Sequence, residues 1–156
     1  MITFGFITQI GKEQSMVDPY KAGFFSENPY AAKKVIDGNL VVILRGKLEK
    51  RGLELISMIS RAVQKHEIHE LIVTDELDVG PGSEVNKIAY IGFVEIKHGG
   101  VLVVGDVLTI QGTVLGKIVG FDETHLPNHL NIVIASDRRA DGIESGVQLE
   151  AEVQFK

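Results

Sequence analysis

From Asn86 to the C-terminus, apolar residues come in short runs closed by glycine, asparagine or aspartate. This punctuation constrains the fold most, because Val- and Ile-rich runs bounded by turn residues read as strands. "NKIAYIGFVEI" (86–96) predicts one strand, and "VLVV" (101–104) a second, with Gly105-Asp106 as the tight turn after it. "VLTIQGTVLGKIVGF" (107–121) predicts a hairpin, since Gln111-Gly112 supplies the two residues of a loop that needs positive φ. "LNIVIAS" (130–136) is a further strand. Val147, Leu149, Ala151, Val153 and Phe155 alternate with other residues, which predicts a last strand with one buried face.

The first half is more mixed. "ITFGFITQI" (2–10) reads as a strand. Asn28 as N-cap, Pro29 at the first helical position and Gly38 as a left-handed stop predict a short helix. Tyr20, Phe24, Phe25 and Tyr30 cluster before and within it. They suit a flap over the domain's own core, or an arm that packs on a second subunit. The second reading predicts a homodimer burying Phe24 or Phe25. "NLVVILRGKL" (39–48) predicts a strand. "RGLELISMISRAVQKH" (51–66) is the best helix, because Leu55, Ile56, Ile59, Val63 and His66 recur at three- and four-residue steps. "ELIVT" (70–74) follows as a strand, so a small strand–helix–strand crossover unit is expected. The expected class is α+β, mainly β: a partly open β-barrel or sandwich of short strands with one main amphipathic helix, in a single domain spanning 1–156.

The net charge of −5 disfavours nucleic acid as a partner, since that binding rests on clustered Lys and Arg. One basic run, "RGKLEKR" (45–51), is a weak candidate anion site interrupted by Glu49. There is no cysteine, which excludes disulfides, zinc–thiolate centres and thiol catalysis. No apolar run approaches the roughly 18 residues that span a bilayer, and the first residues lack the basic and apolar regions of a secretory signal. A cytoplasmic protein without a membrane partner is expected.

Chemistry concentrates in "DETHLPNH" (122–129). Pro127 argues against a helix, so His125 and His129 are not the paired ligands of an HExxH site. Leu126-Pro127-Asn128-His129 suits a β-turn with proline at its second position. Such a turn allows His125, His129 and Asp122 to converge on a small anion or a divalent metal, with His125 and His129 as the metal ligands. His98, in "IKHGG", is a third candidate histidine, and Gly99 and Gly100 would let backbone approach a ligand. The ligand-binding set is therefore His98, Asp122, His125 and His129, against the plain alternative of a hydrogen-bonded turn. His66 and His69 suit a helix C-terminus, where a protonated histidine meets the dipole favourably. Asp75, Glu76, Asp78 and Glu84 surround a Gly-Pro-Gly turn and read as a solvated acidic loop; their spacing fits no EF-hand.

The stretch "IAYIGFVEIKHGGVLVVGDVLTIQGTVLGKIVGFDETHLPNHLNIVI" resembles, distantly, the glucitol/sorbitol-specific IIA component of the bacterial sugar phosphotransferase system. "YIGFVEI" lies where that family carries its His-x-His-Gly strand, "VVGD" at the following turn, and "NHLNIVI" where Gly-His opens a strand. The resemblance covers about the last 70 residues. It implies a β-barrel-like fold. The phospho-accepting histidine would fall near Gly92 and Val94, where this chain has none; His129 alone occupies a family histidine position. The whole chain also resembles a small uncharacterised bacterial protein family sharing "EVNKIAYIGF", "GGVxxVGD" and "GFDxxHxPNH". The function expected is a binding or regulatory module that holds a small polar or anionic ligand in a histidine-lined pocket. The alternative is an enzyme: a phosphocarrier-like component, or a metal-dependent hydrolase using His129, His125 and His98. No cofactor is specified by the sequence.

Overall fold

The computed structural model describes residues 28–156. The chain divides after Ala32 into two compact units, and all the strands below belong to the unit Lys33–Lys156. The strand over 2–10 and the aromatic residues Tyr20, Phe24 and Phe25 lie outside the described residues.

Eight strands form one sheet. They are β1 (Ile36–Ile43), β2 (Lys47–Leu48), β5 (Ile68–Thr74), β7 (Ile88–His98), β9 (Val107–Ile110), β10 (Thr113–Asp122), β11 (Asn131–Ala135) and β12 (Glu152–Phe155). Their order is β1-β12-β9-β10-β11-β5-β7-β2, and β1 also pairs with β7, so the sheet curls into a partly closed ring. The pairings are antiparallel except β11 with β5, which run parallel from Asn131 opposite Glu70. Two small ribbons accompany it: β3 (Leu53–Glu54) with β6 (Glu84–Val85), and β4 (Ser60–Val63) with β8 (Gly100–Val103). The described helix, α1 (Gly142–Ser145), is a single turn closed by an Asp141/Glu144 capping box. The fold is mainly β, in line with a partly open barrel or sandwich.

Alternation along the strands sorts side chains to two cores. Leu71, Val73, Ile132, Ile134, Val153 and Phe155 belong to the main core. Ile72 and Val133, on the opposite face, join Leu53, Leu55, Val85 and Ile88 in a second, smaller core. Complete burial of each such side chain contributes about 1.5–3 kcal/mol. At the margin of the main unit, Lys33 forms an ion pair with the buried Asp106 (2.8 Å), whose other role is to accept the Val103 N–H in the turn after β8.

Four expectations are corrected. The helix over 51–66 is absent: Gly52 takes a positive φ of 70°, Leu53 and Glu54 pair with β6, and residues 60–63 pair with β8. Leu53 and Leu55 serve the second core whereas Ile56 and Val63 serve the main one, a division that one helical stripe cannot make. The crossover unit fails with it, and the parallel partner of β5 is β11, far along the chain. The helix expected to start at Asn28 is also absent. Asn28 instead accepts the Tyr30 N–H, and Gly38 lies in β1, where a Cβ would run into the Glu95 carbonyl of β7. The last strand begins only at Glu152, because Glu150 adopts φ 69°; Leu149 is exposed while Ala151, Val153 and Phe155 are buried. The Gln111-Gly112 loop does take positive φ at both residues (51° and 77°), as its sequence predicts.

Candidate functional site

The turn at 122–129 stands between the end of β10 and the start of β11. His125 C=O accepts the Asn128 N–H (2.8 Å), and the Leu126–Pro127 bond is cis. Pro127 is thus the third residue of the turn rather than the second, a type VI arrangement. Asp122 sets the base. Its carboxylate accepts from Thr124 N and Oγ1, Glu54 N and Asn131 Nδ2, at 3.0–3.1 Å. Burial opposes its charge, but these donated bonds prevail and hold it below the usual aspartate range.

The turn brings His125 and His129 together, with ring centroids 5.1 Å apart and planes tilted by 33°. His129 is buried and also packs on Phe93 of β7 at 5.0 Å. The Asn128 amide lies 2.8 Å from its Nδ1 and Glu70 Oε1 3.1 Å from its Nε2. With Asn128 donating to Nδ1, the network places the proton on Nε2, donated to Glu70. Burial, and then the neighbouring His125, hold His129 below the usual histidine range. Burial pushes the Glu70 carboxyl up, and Asp122 adds to this against the pull of His125 and Arg51.

Arg51 completes the row. Its Nε donates to Tyr90 Oη (3.0 Å), and its Nη2 lies 3.4 Å from His125 Nε2. A guanidinium only donates, so His125 Nε2 is the acceptor. The row therefore runs Tyr90, Arg51, His125, His129, Glu70; it is half-buried at Tyr90 and Arg51, exposed at His125, and buried at His129 and Glu70. Sequence reading places two of these together and misses Arg51, Glu70 and Tyr90. Arg51 carries one signal, its place in the basic run at 45–51.

The other candidates lie elsewhere. His98 sits at the end of β7 and pairs with Asp37 (2.7 Å), with no contact to the turn. Gly99 serves packing: a Cβ there would press on the Val63 carbonyl and Gln64. His66 is exposed beside Glu95, not at a helix end, and His69 is a buried residue of β5. His69 Nδ1 accepts the Leu130 N–H (3.0 Å), which leaves its Nε2 facing Glu67 (3.1 Å). It lines a cavity of about 530 Å³ beside the turn, together with Arg61, Glu67 and Asn128 over an apolar floor of Ile68, Leu126 and Pro127. In the acidic loop, Glu76 accepts the Asn86 and Lys87 N–H groups and Asp75 approaches Arg139. Among the described residues no group of three or more His, Asp or Glu side chains is arranged to hold a metal ion. His125 Nε2 faces Arg51, and the two ring nitrogens of His129 face Asn128 and Glu70, rather than one point between the rings.

Residues 30–156 match the model of a family described as a family of unknown function, DUF6917. The chain belongs to the DUF6917 family. No curated protein and no solved structure matches this DUF6917 chain. Among its described residues no helix is long and apolar enough to cross a membrane.

The opposed shifts of Glu70 and His129 give a pH-dependent prediction. A carboxyl raised in the fold binds more protons folded than unfolded, so its contribution to stability falls as pH rises from about its ordinary 4.5 through the folded value. Glu70→Gln removes that loss and keeps both hydrogen-bonding ends. The variant is expected to match or exceed the parent by up to about 1 kcal/mol at neutral pH. The difference should shrink as pH falls toward 4.5. Urea unfolding at several pH values checks this. A variant that is less stable at neutral pH and recovers on acidification reverses the assignment.

Proposed function

We propose that this chain is a binding or regulatory domain that holds a small anionic ligand at the exposed side of the Pro127 turn, with Arg51 and His125 as the recognising side chains. One observation carries the reading. Arg51 is half-buried and has no carboxylate within ion-pair distance among the described residues; its partners are a phenol and an imidazole. An arginine not paired with a carboxylate presents a planar set of donors suited to carboxylate or phosphate oxygens. In this reading His129 fixes the position of His125 through the tilted ring contact, Glu70 fixes His129, and Asp122 fixes the turn. His98 has no part in it. A cytoplasmic homodimer belongs to the same reading. The support for the dimer is a groove of about 470 Å³ lined by Val114, Leu115, Val147 and Leu149, of which Val114 and Leu149 are exposed.

Titration with inorganic phosphate, followed by amide chemical shifts and calorimetry, tests it. Shifts are expected around Arg51, Tyr90 and residues 123–129. Arg51→Gln is expected to weaken binding at least about tenfold, and Arg51→Lys less, because a lysine keeps the charge without the fork. Unaltered affinity in Arg51→Gln would sink the proposal.

A further inference from the structure

An anion held by Arg51 meets His125 next. Without a ligand, the guanidinium donates to His125 Nε2, so this nitrogen carries no proton. The imidazole is exposed and accessible to solvent protons. The charged and titratable groups around it are Arg51 from the segment between β2 and β3, Glu70 from β5, Asp122 at the end of β10, and His129 of its own turn. Tyr90 of β7 reaches it through Arg51, and Glu123 is turned to Arg61. Asp122 directs its oxygens inward to its four donated bonds, and the Glu70 carboxyl is buried against His129. Neither carboxyl makes an ion pair with Arg51.

An oxyanion that draws the guanidinium to itself removes the hydrogen bond that occupies Nε2 and neutralises the adjacent charge. It also offers an acceptor for a new N–H. The surface then presents two positive groups, Arg51 and a protonated His125, above two carboxyls whose hydrogen bonds are directed elsewhere. We propose that the site takes a dianionic oxyanion, of the kind carried by sulfate or a phosphate monoester, and takes up a proton at His125 as it binds. This rests on the anion reading above. By linkage, a bound state that holds an additional proton forms more readily as pH falls, with affinity changing up to about tenfold per pH unit.

Sulfate is the probe, because it carries no titrating proton between about pH 6 and about pH 8, so any uptake belongs to the protein. Calorimetry in two buffers of different ionisation enthalpy reads the protons taken up. The expected result is uptake on sulfate binding, affinity that falls as pH rises, and acetate binding at least about tenfold more weakly. His125→Gln should still bind sulfate through its amide N–H, with the proton uptake gone and the pH dependence flattened. His98→Gln, remote from the turn and paired with Asp37, should keep both the binding and the uptake. Sulfate binding at constant affinity without uptake overturns this inference and leaves the anion site standing. Equal affinity for acetate overturns the preference for a dianion. No binding of sulfate or phosphate at any pH overturns the inference and the anion reading together.

Discussion

Gly92→Ala is expected to destabilise the protein by about 3 kcal/mol or more, at or above the upper end of the usual cost of overpacking. Gly92 lies in the middle of β7, opposite Ile43 of β1 on one side and Leu71 of β5 on the other. The register slips directly beside it in the pairing with β5 and one pair further along in the pairing with β1. A Cβ at this position would run into the Val42 carbonyl oxygen, with the Val42 carbonyl carbon at 3.2 Å and Ile43 Cα at 3.4 Å. These atoms belong to a paired strand and cannot swing aside as a flexible side chain can. Gly80→Ala is the control, because a Cβ there meets nothing within 4 Å and the backbone φ is not in the left-handed region. It is expected at or slightly above parental stability, through the stiffer unfolded chain. Chemical denaturation of both variants decides the matter, and a Gly92→Ala protein within about 0.5 kcal/mol of the parent would show that β1 yields. The same contact bears on the resemblance to the sugar-transport component. A histidine at position 92, one of the two places where that family's histidines would fall, would need the same space.

The strands after Asn86 are legible because their signal is local. Alternation, β-branched residues and a two-residue loop at Gln111-Gly112 act over a few positions, and long-range packing does not need to overrule them. The segment 51–66 misleads for the opposite reason. Its three- and four-residue apolar steps are real, but Leu55 and Val63 are claimed by different cores, and pairing with β6 and β8 outweighs the helical stripe. The parallel pairing of β5 with β11 leaves no trace in either strand's own pattern. The candidate site divides in the same way. The closeness of His125 and His129 follows from the Pro127 turn and is readable within one short stretch. Arg51 reaches that stretch from 74 residues away, and Glu70 from 59. His98 shares only its residue type with the turn, and the sheet carries it to the far end of β7.

Asp122→Ala is expected to cost about 3–5 kcal/mol, the range reached when several buried donors lose a charged acceptor together. Asp122 is 1% exposed and its two oxygens receive four hydrogen bonds from three separate places in the chain. Glu54 N belongs to β3, Thr124 to the turn, and Asn131 to the start of β11, so one carboxylate joins the second core, the turn and the parallel pair. Alanine leaves the Glu54 N–H and the Asn131 amide without their acceptor, and Asn131 Oδ1 is already buried without a partner. Asp122→Asn keeps the shape but turns an NH2 toward one of the donors, so an intermediate loss is expected. The sign with pH is fixed by the depressed carboxyl. A group whose folded value lies below its ordinary 3.8 stabilises the fold above that value and loses the contribution as pH falls through the folded one. The gap between parent and Asp122→Ala should therefore be constant near neutrality and close only in strong acid. Asp137, exposed on the segment after β11, serves as the control, with a change under about 0.5 kcal/mol on truncation to alanine. The turn loses its base in Asp122→Ala, so sulfate binding at Arg51 and His125 should weaken even under conditions where the variant is folded. A variant within about 1 kcal/mol of the parent, still binding sulfate normally, would mean that water takes over the four bonds and that the turn holds its shape without Asp122.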